Sequence, residues 1–199
     1  MLLTDCAVAT LSRRDVVQKI LSNRGDALVV AGLGSSAWDC AAVADCGLDF
    51  LLWGGMGSAA AIGLGLAQAQ PDRRVLVITG DGEMVMGLGS LAAIGGARVK
   101  NLAIIVLDNE HYGETGMQPS HTSGLLDLAS LASTCGFTQT KQVADLESLQ
   151  EAIPIVYDSP GPVAINIKVK AEEIPRVLPS RDGVYLKHRF RSALGVDKK

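Results

Sequence analysis

The sequence predicts an α/β fold with a doubly wound, mainly parallel sheet and helices on both faces. Short apolar segments alternate with helical ones along the chain, and glycine-rich loops join many of them. The composition agrees, since 48% of the residues are hydrophobic but only 4% are aromatic, and 22 are glycine. Runs of Val, Ile and Leu with few aromatic residues are typical of parallel strands buried on both faces. Alternation of strands and helices is typical of βαβ units.

The first half of the chain is expected to repeat a strand, loop and helix unit. A helix begins near residue 13, because Ser12 and Asp15 have the spacing of a capping box and an apolar periodicity follows. Strands are expected at 27–32, 50–53, 74–80 and 101–109. The first three lead through glycine loops into helices, of which the second extends to about residue 70 and the third to about residue 97.

The second half continues the alternation after a polar loop. The expected elements are a loop at 110–124, a helix near 125–135, a strand near 138–143, a helix near 146–153 and a strand at 162–169. Residues 1–170 therefore form one domain, and residues 171–199 form a basic C-terminal extension with a helix candidate at 184–194.

The bulk properties exclude several classes of protein. With 18 basic and 21 acidic residues the net charge is only −3, so no strong field attracts nucleic acid. Residues 50–71 are uncharged, but their glycines and the missing interfacial anchors disfavour a membrane span. The N-terminus has no secretory signal, so a cytoplasmic location is expected. The cysteines lack a CxxC pair and are expected to be reduced and mostly buried: Cys6, Cys40, Cys46 and Cys135.

Two polar side chains follow predicted strands at one edge of the sheet. Asp81 comes directly after the strand that ends at Gly80, and Asn109 comes directly after the next strand. In such sheets ligands bind at the carboxyl ends of the strands. Mg²⁺ prefers six oxygen ligands and takes only one or two from side chains. The pair therefore predicts a Mg²⁺ site, although an isolated GlyAspGly is more often only a turn.

Two glycine loops at this edge are candidates for holding phosphate groups. Gly80 and Gly82 let the backbone approach a phosphate closely, and the helix that follows offers free N–H groups. A second loop of the same kind comprises Gly32, Gly34, Ser35 and Ser36.

Residues 80–109 resemble a motif of thiamine diphosphate (ThDP) enzymes, in which GlyAspGly is followed by a spacer and an Asn. Here 26 residues separate Gly82 from Asn109, and the first position of the usual Asn pair is Asp108, a departure from the family. The upstream segment LWGGMGSAAAIGLGLA is similar to the one that holds the aminopyrimidine of the cofactor, and Met56 lies 25 residues before Asp81, as in acetolactate synthases. The resemblance implies that residues 1–170 are the diphosphate- and Mg²⁺-binding (PP) domain of such an enzyme.

The resemblance also implies roles for particular residues. Asp81, Asn109 and the main-chain carbonyl of His111 would bind Mg²⁺. Met56 would wedge the cofactor into a bent shape, with Gly54 and Met56 bonding the aminopyrimidine through the backbone. A core filler is the alternative for Met56. The residues expected to contact the cofactor are Gly32, Gly34, Ser35, Ser36, Gly54, Gly55, Met56, Gly80, Asp81, Gly82, Glu83, Asn109, His111, Tyr112 and Gly113.

The catalytic glutamate of this family lies on a separate pyrimidine-binding (PYR) domain. The resemblance therefore implies a PYR-domain (alpha) partner chain and a hetero-oligomer such as α2β2 or larger. Candidates to meet a small 2-oxo acid substrate are His111, Gln118 and His121, which lie in the loop beside the metal. The alternative is that both histidines are solvated loop residues.

More narrowly, GLGSSAWD, WGGMGSAAAIGLGLA and DNEHYGETGMQPSHT resemble the β chains of sulfopyruvate decarboxylases and the matching half of phosphonopyruvate decarboxylases. The expected function is the β subunit of a ThDP- and Mg²⁺-dependent decarboxylase of a small anionic 2-oxo acid. The alternatives are a 2-oxoacid:ferredoxin oxidoreductase β subunit, an acetolactate-synthase-like carboligase and a non-catalytic scaffold subunit. The basic tail is expected to be a solvated face or a partner contact, with binding of the substrate anion through Arg as the alternative.

Overall fold

The structure, a computed structural model, describes residues 9–196 and contains a six-stranded parallel sheet and a small antiparallel hairpin. The strands of the sheet follow the order β2-β1-β3-β4-β8-β7, and β5 pairs with β6 in the hairpin. The strands are β1 (Leu28–Ala31), β2 (Asp49–Leu51), β3 (Val75–Gly80), β4 (Leu102–Asp108), β5 (His111–Tyr112), β6 (Gln118–Pro119), β7 (Gln139–Val143) and β8 (Val163–Lys168). The predicted parallel sheet is confirmed.

Helices cover both faces of the sheet, as predicted. One apolar cluster joins the sheet to α1, α2 and α7, and a second joins its other face to α3, α4, α5 and α6. The helices are α1 (Arg13–Leu21), α2 (Ser35–Val43), α3 (Ala59–Ala69), α4 (Asp81–Met86), α5 (Gly89–Ala97), α6 (Leu128–Thr134), α7 (Leu146–Asp158) and α8 (Gly183–Leu194). The central strands are buried on both sides, which explains their continuous apolar sequences.

The strand order reverses between β1 and β3. From β1 the chain runs through α2 to β2 on one side, whereas β3 pairs with β1 on the other side and continues outward to β4. The loops after β1 and β3 therefore lead into helices on opposite faces of the sheet. Such a reversal leaves a crevice at the carboxyl ends of the two strands, where ligands of open α/β sheets bind.

Four local predictions differ from the structure. The single helix expected up to residue 97 is two helices, because the chain turns at Gly87, where a Cβ would lie 2.0 Å from the carbonyl oxygen of Gly57. Helix α7 continues through Pro154 to Asp158, since buried residues such as Val156 hold its last turns against the sheet. The loop at 110–124 contains the β5–β6 hairpin and a 3₁₀ turn. Ser12 makes no side-chain cap, whereas α7 has a capping box.

The C-terminal extension lies against the domain. Helix α8 coincides with the predicted helix and packs on the β2 edge, where the rings of Phe190 and Phe50 are 5.4 Å apart and Arg189 pairs with Asp45. Within residues 9–196 no helix is long and apolar enough to cross a membrane. Cysteines 40, 46 and 135 are free, and only the first is fully buried, whereas residue 6 lies outside the described residues.

Candidate functional site

A cleft of about 300 Å³ lies at the reversal of the strand order and collects most of the residues expected to bind the cofactor. Its walls come from the loops after β1, β2, β3 and β4 and from the β5–β6 hairpin. The expected residues among its lining are Ser35, Ser36, Met56, Gly80, Asp81, Gly82, Glu83, Asn109, His111, Tyr112 and Gly113. The fold thus brings together motifs that are far apart in the sequence.

Asp81, the first residue of α4, lines this cleft and is only 2% exposed. Its Oδ2 accepts hydrogen bonds from the hydroxyl groups of Ser120 and, at 3.2 Å, Thr122. Burial raises the pKa of Asp81, the Ser120 hydrogen bond lowers it, and the nearby Asp108 carboxylate raises it. No ion pair between described residues includes Asp81. Its ionised form therefore has no charge compensation in this part of the chain.

Asn109 follows β4 and lines the same cleft. Its Oδ1 accepts the backbone N–H of His111 at 3.0 Å, and its main-chain oxygen lies 2.8 Å from the His111 Nδ1. These contacts turn the imidazole of His111 back onto its own loop, while the amide oxygen of Asn109 keeps a second lone pair. Within residues 9–196 no group of three or more His, Cys, Asp and Glu side chains could hold a metal. A metal here would therefore depend on a carboxylate, an amide oxygen and main-chain or ligand oxygens.

Asp108, which departs from the family motif, is fully buried and fully paired. Its Oδ1 accepts from the Thr122 hydroxyl at 2.7 Å and from the backbone N–H of Glu110 at 3.1 Å. Its Oδ2 accepts from Asn166 at 2.9 Å and lies 2.8 Å from the Nζ of Lys168. Burial lowers the pKa of Lys168, but its hydrogen bonds to Asp108 and Glu110 outweigh this and hold the pKa above its usual value. The departure is thus matched by a cation on the neighbouring strand.

The segment after the hairpin connects the two aspartates. The hydroxyl oxygen of Thr122, a residue that is 4% exposed, lies 2.7 Å from Asp108 Oδ1 and 3.2 Å from Asp81 Oδ2, and Ser120 donates to Asp81. The sequence prediction selected His121, which is exposed and has its Nδ1 3.5 Å from the Tyr112 hydroxyl. The flanking hydroxyl residues were missed because they lie about 40 positions from Asp81 and match no motif. The only sequence feature that could have pointed to these two residues is their position in the polar loop.

Some of the motif glycines make room for neighbouring side chains. A Cβ on Gly82 would lie 2.4 Å from the Tyr112 ring, and a Cβ on Gly32 would lie 1.7 Å from the Oε2 of Glu83. Gly32 itself does not line the cleft, so what it provides is space for Glu83. Glu83 accepts from the Thr79 hydroxyl at 2.9 Å with Oε2, while its Oε1 is buried with no partner among the described residues. Burial raises the pKa of this carboxyl.

Met56 lines the cleft and is 40% exposed, which is unlike a core residue. Its neighbours Gly55 and Gly57 have φ of 70° and 88°, so the loop needs glycine on both sides of it. The expected site residues that lie outside the lining are Gly32, Gly34, Gly54, Gly55, Gln118 and His121. The amide of Gln118 bonds to Thr115, at 2.9 Å and 2.8 Å.

The cleft also has a wall that motif analysis did not predict. It comprises residues of α1, α2 and the extension: Arg13, Trp38, Glu172, Glu173, Ile174 and Arg176. Apart from Trp38, which belongs to the GLGSSAWD segment, these residues lie outside the recognised motifs, and only the fold brings the extension to the mouth of the cleft. The extension thus belongs to the candidate site.

Comparisons with known proteins agree with this arrangement. Residues 47–167 match the family described as thiamine pyrophosphate enzyme, C-terminal TPP binding domain. The β subunit of sulfopyruvate decarboxylase from Methanocaldococcus jannaschii is 34% identical over 191 residues, which cover 92% of this chain and 96% of that subunit. Phosphonopyruvate decarboxylase from Streptomyces viridochromogenes is 34% identical over 172 residues, which cover 84% of this chain and 42% of that protein.

A solved structure shows the same fold. The ThDP-dependent 4-hydroxybenzoylformate decarboxylase of Rhodococcus jostii superposes with a TM-score of 0.70 at 21% sequence identity, covering 83% of this chain and 34% of that one. At this identity the likeness shows the fold alone, and the sequence relatives carry the evidence for the family.

Proposed function

This chain belongs to the thiamine pyrophosphate enzyme family, and from that premise we propose that it is the β subunit of a ThDP- and Mg²⁺-dependent decarboxylase. Its substrate is a small anionic 2-oxo acid such as sulfopyruvate or phosphonopyruvate. The observation that carries the proposal is the uncompensated, buried Asp81 beside Asn109 in the cleft where the strand order reverses. The two relatives named above are decarboxylases of substrates of this kind, by name.

The residues of the cleft fit the cofactor and its metal. Asp81 and Asn109, with the main-chain oxygen of His111, are the ligands for Mg²⁺, which prefers hard oxygen donors. A Cβ on Gly80 would meet nothing within 4 Å, so this glycine leaves open space beside Asp81 for a phosphate group. Ser35 supplies a hydroxyl at the start of α2. When bound, ThDP supplies the electron sink that the loss of CO₂ from a 2-oxo acid requires.

The chain's own residues position these groups. Ser120 and Thr122 hold one oxygen of Asp81, which leaves the other available to a cation. Met56 presents an apolar side chain to the cleft and limits the space available to a bound molecule. His111 and the nearby Gln118 and His121 remain candidates for contact with the substrate, His111 from the lining and the other two from just outside it.

The proposal includes a partner chain. The Methanocaldococcus relative is named subunit beta, and this chain matches only 42% of the phosphonopyruvate decarboxylase. An alpha chain with the PYR domain would supply the catalytic glutamate in a cytoplasmic hetero-oligomer such as α2β2 or larger. Residues 84–97 contain no charged side chain, and Met86 on α4 is 67% exposed. An uncharged surface of this kind suits a subunit interface.

The direct test is reconstitution. The purified chain is mixed with a PYR-domain partner, ThDP and Mg²⁺, and CO₂ release is measured with sulfopyruvate, phosphonopyruvate and pyruvate. Release from an anionic substrate is expected, with loss on chelation of Mg²⁺ and recovery when it is restored. No release from any 2-oxo acid contradicts the decarboxylase. Bound iron would indicate an oxidoreductase, and coupled products would indicate a carboligase.

A further inference from the structure

The short segment that carries two of the proposed metal ligands contains a backbone conformation that residues with side chains seldom adopt. Glu110 lies between Asn109 and His111 and has a φ of 62°, in the left-handed region. That region costs energy for a residue other than glycine, so it persists only where the surroundings impose it. Asn109 and His111 line the cleft, whereas Glu110 does not. The strained residue therefore lies behind the ligands, and contacts outside the cleft hold it in place.

Both ends of the Glu110 backbone are held by hydrogen bonds. Its N–H donates to the Oδ1 of Asp108 at 3.1 Å, and its carbonyl oxygen accepts from the N–H of Ser120 at 2.7 Å. Asp108 is fully buried and Ser120 is 4% exposed, so both partners are fixed by packing. The second bond also joins the Asn109 segment to the residue whose hydroxyl donates to Asp81. The left-handed turn thus lies between the two halves of the candidate metal site.

The side chain of Glu110 is anchored by Lys168, at the end of β8. The Nζ of Lys168 lies 2.6 Å from the Oε1 of Glu110 and 2.8 Å from the Oδ2 of Asp108. It also lies 3.4 Å from the carbonyl oxygen of Thr122. The Glu110 side chain is only 27% exposed, so salt and solvent screen this ion pair less than a fully exposed one. One ammonium group thus ties the turn at residue 110 to strand β8 and to the segment after the hairpin.

We propose that Glu110 is a positioning residue that makes the metal site selective for Mg²⁺ over Ca²⁺. Its anchor fixes the turn at residue 110, and the turn sets where the side-chain oxygen of Asn109 lies relative to the main-chain oxygen of His111. Mg²⁺ demands near-ideal octahedral geometry at short distances, whereas Ca²⁺ accepts a flexible shell with more oxygens at longer distances. A rigid turn therefore favours the smaller ion. The inference rests on the proposed function only in taking these two oxygens as metal ligands.

The test compares Glu110→Ala with Glu110→Gly. Both remove the carboxylate that Lys168 anchors, but only alanine carries a Cβ that disfavours a positive φ. Lys168 keeps Asp108 as its partner in both variants, so neither leaves an unpaired cation. Arg98→Ala is the control, since Arg98 also has a positive φ, of 51°, but is exposed at the end of α5 and does not line the cleft. Each variant is assembled with the partner chain, and ThDP affinity is measured in Mg²⁺ and then in Ca²⁺. The fluorescence of Trp38, which lines the cleft, provides the signal.

The ratio of the two affinities is the decisive quantity, because a general loss of stability lowers binding with both ions alike. Glu110→Ala should lower ThDP affinity roughly tenfold in Mg²⁺ and clearly less in Ca²⁺, so that the ratio falls. Glu110→Gly should recover part of the Mg²⁺ affinity, because glycine adopts the turn without the anchor. Arg98→Ala should bind as the wild type does with either ion. An unchanged ratio in Glu110→Ala overturns the proposal, and so does an equal loss in the alanine and glycine variants.

Amide hydrogen exchange on the full chain, without metal or cofactor, separates this proposal from the proposed function. The Ser120 N–H, which donates to the carbonyl oxygen of Glu110, should exchange roughly tenfold faster in Glu110→Ala than in the wild type, and Glu110→Gly should lie between them. Faster exchange together with a lower ion ratio supports the proposal even if no 2-oxo acid is decarboxylated. Unchanged exchange, or faster exchange at an unchanged ratio, overturns it. A wild type that binds ThDP with neither ion contradicts the metal site itself, and the proposed function with it.

Discussion

The neighbouring strands β3 and β4 lead at their carboxyl ends to buried aspartates that the chain treats in opposite ways. Asp108, at the end of β4, has both oxygens paired, with Lys168 as its cation. Asp81, directly after β3, has one oxygen held by hydroxyl groups and no cation among the described residues. The two are 2% exposed or less, and the Thr122 hydroxyl lies within hydrogen-bond distance of both.

The difference separates a structural carboxylate from a binding carboxylate. A buried charge is costly unless a counter-charge compensates it. Lys168 supplies that counter-charge for Asp108, so this carboxylate needs no bound cation. Asp81 has no counter-charge among the described residues, and it lines the same cleft as Asn109. We therefore propose that Asp81 binds the metal and that Asp108 supports the site structurally.

The largest effect is expected from breaking the ion pair between Asp108 and Lys168. Lys168→Met leaves the buried Asp108 without its cation and should lower the free energy of unfolding by about 3 kcal/mol. Denaturant unfolding of the chain measures this loss. Lys141→Met is the matched control, because its partner Glu151 has a 61% exposed side chain, and it should cost less than about 1 kcal/mol.

A double variant tests whether the stability loss of Lys168→Met comes from the unpaired charge of Asp108. Asp108→Asn combined with Lys168→Met removes both charges and should recover most of the lost stability, because Asn leaves no unpaired charge and still accepts from Thr122. A double variant no more stable than Lys168→Met would contradict the charge explanation and point to lost packing of the lysine stem.

A smaller effect is expected at the residue that both aspartates share. Thr122→Val keeps the shape of the side chain but removes the hydroxyl, so the free energy of unfolding should fall by about 1–2 kcal/mol. The affinity for Mg²⁺ in the presence of ThDP should also fall by about tenfold, since Asp81 loses an orienting partner. Thr134→Val, on the exposed side of α6, is the control and should leave Mg²⁺ affinity unchanged. A loss of stability at unchanged Mg²⁺ affinity would separate Thr122 from the metal site.

The smallest effect is a change with pH. The pKa of Lys168 is above its ordinary value of 10.5 in the folded chain, so its contribution to stability is complete below that pH and is lost as the pH rises through the folded pKa. The stability difference between the wild type and Lys168→Met should therefore stay constant near pH 8 and shrink above about pH 10.5. Burial also raises the pKa of Tyr157, to about 12, but this group titrates in both proteins and cancels. A difference that does not shrink would contradict the ion pair.

The sequence was sufficient for the parallel sheet because most of its strands have a local signal. Continuous apolar runs placed β1, β2, β3, β4 and β8 to within a few residues, whereas the β5–β6 hairpin was missed. The departures have tertiary causes. Helices α4 and α5 separate where Gly87 meets Gly57, and α7 passes Pro154 because it is packed on the sheet. Neither contact can be recognised from a single segment.

Residues of the candidate site could be predicted from the sequence only where they belong to a motif. Asp81 and Asn109 were predicted from their resemblance to a family motif, and the structure places both in one cleft. Thr122, Lys168 and Arg176 lie in segments without such a motif, so only the fold shows that they approach the cleft or its aspartates. Asp108 could be recognised as a departure, but its compensating cation lies 60 positions away.

The most direct test of the central claim is Asp81→Asn, with Mg²⁺-dependent ThDP binding and unfolding measured on the same protein. The substitution removes an uncompensated charge and keeps an oxygen for Ser120, so the free energy of unfolding should be unchanged or higher while Mg²⁺-dependent binding is lost. Retained binding would contradict the metal assignment. A loss of about 3 kcal/mol, as expected for Lys168→Met, would show that Asp81 is a structural carboxylate like Asp108.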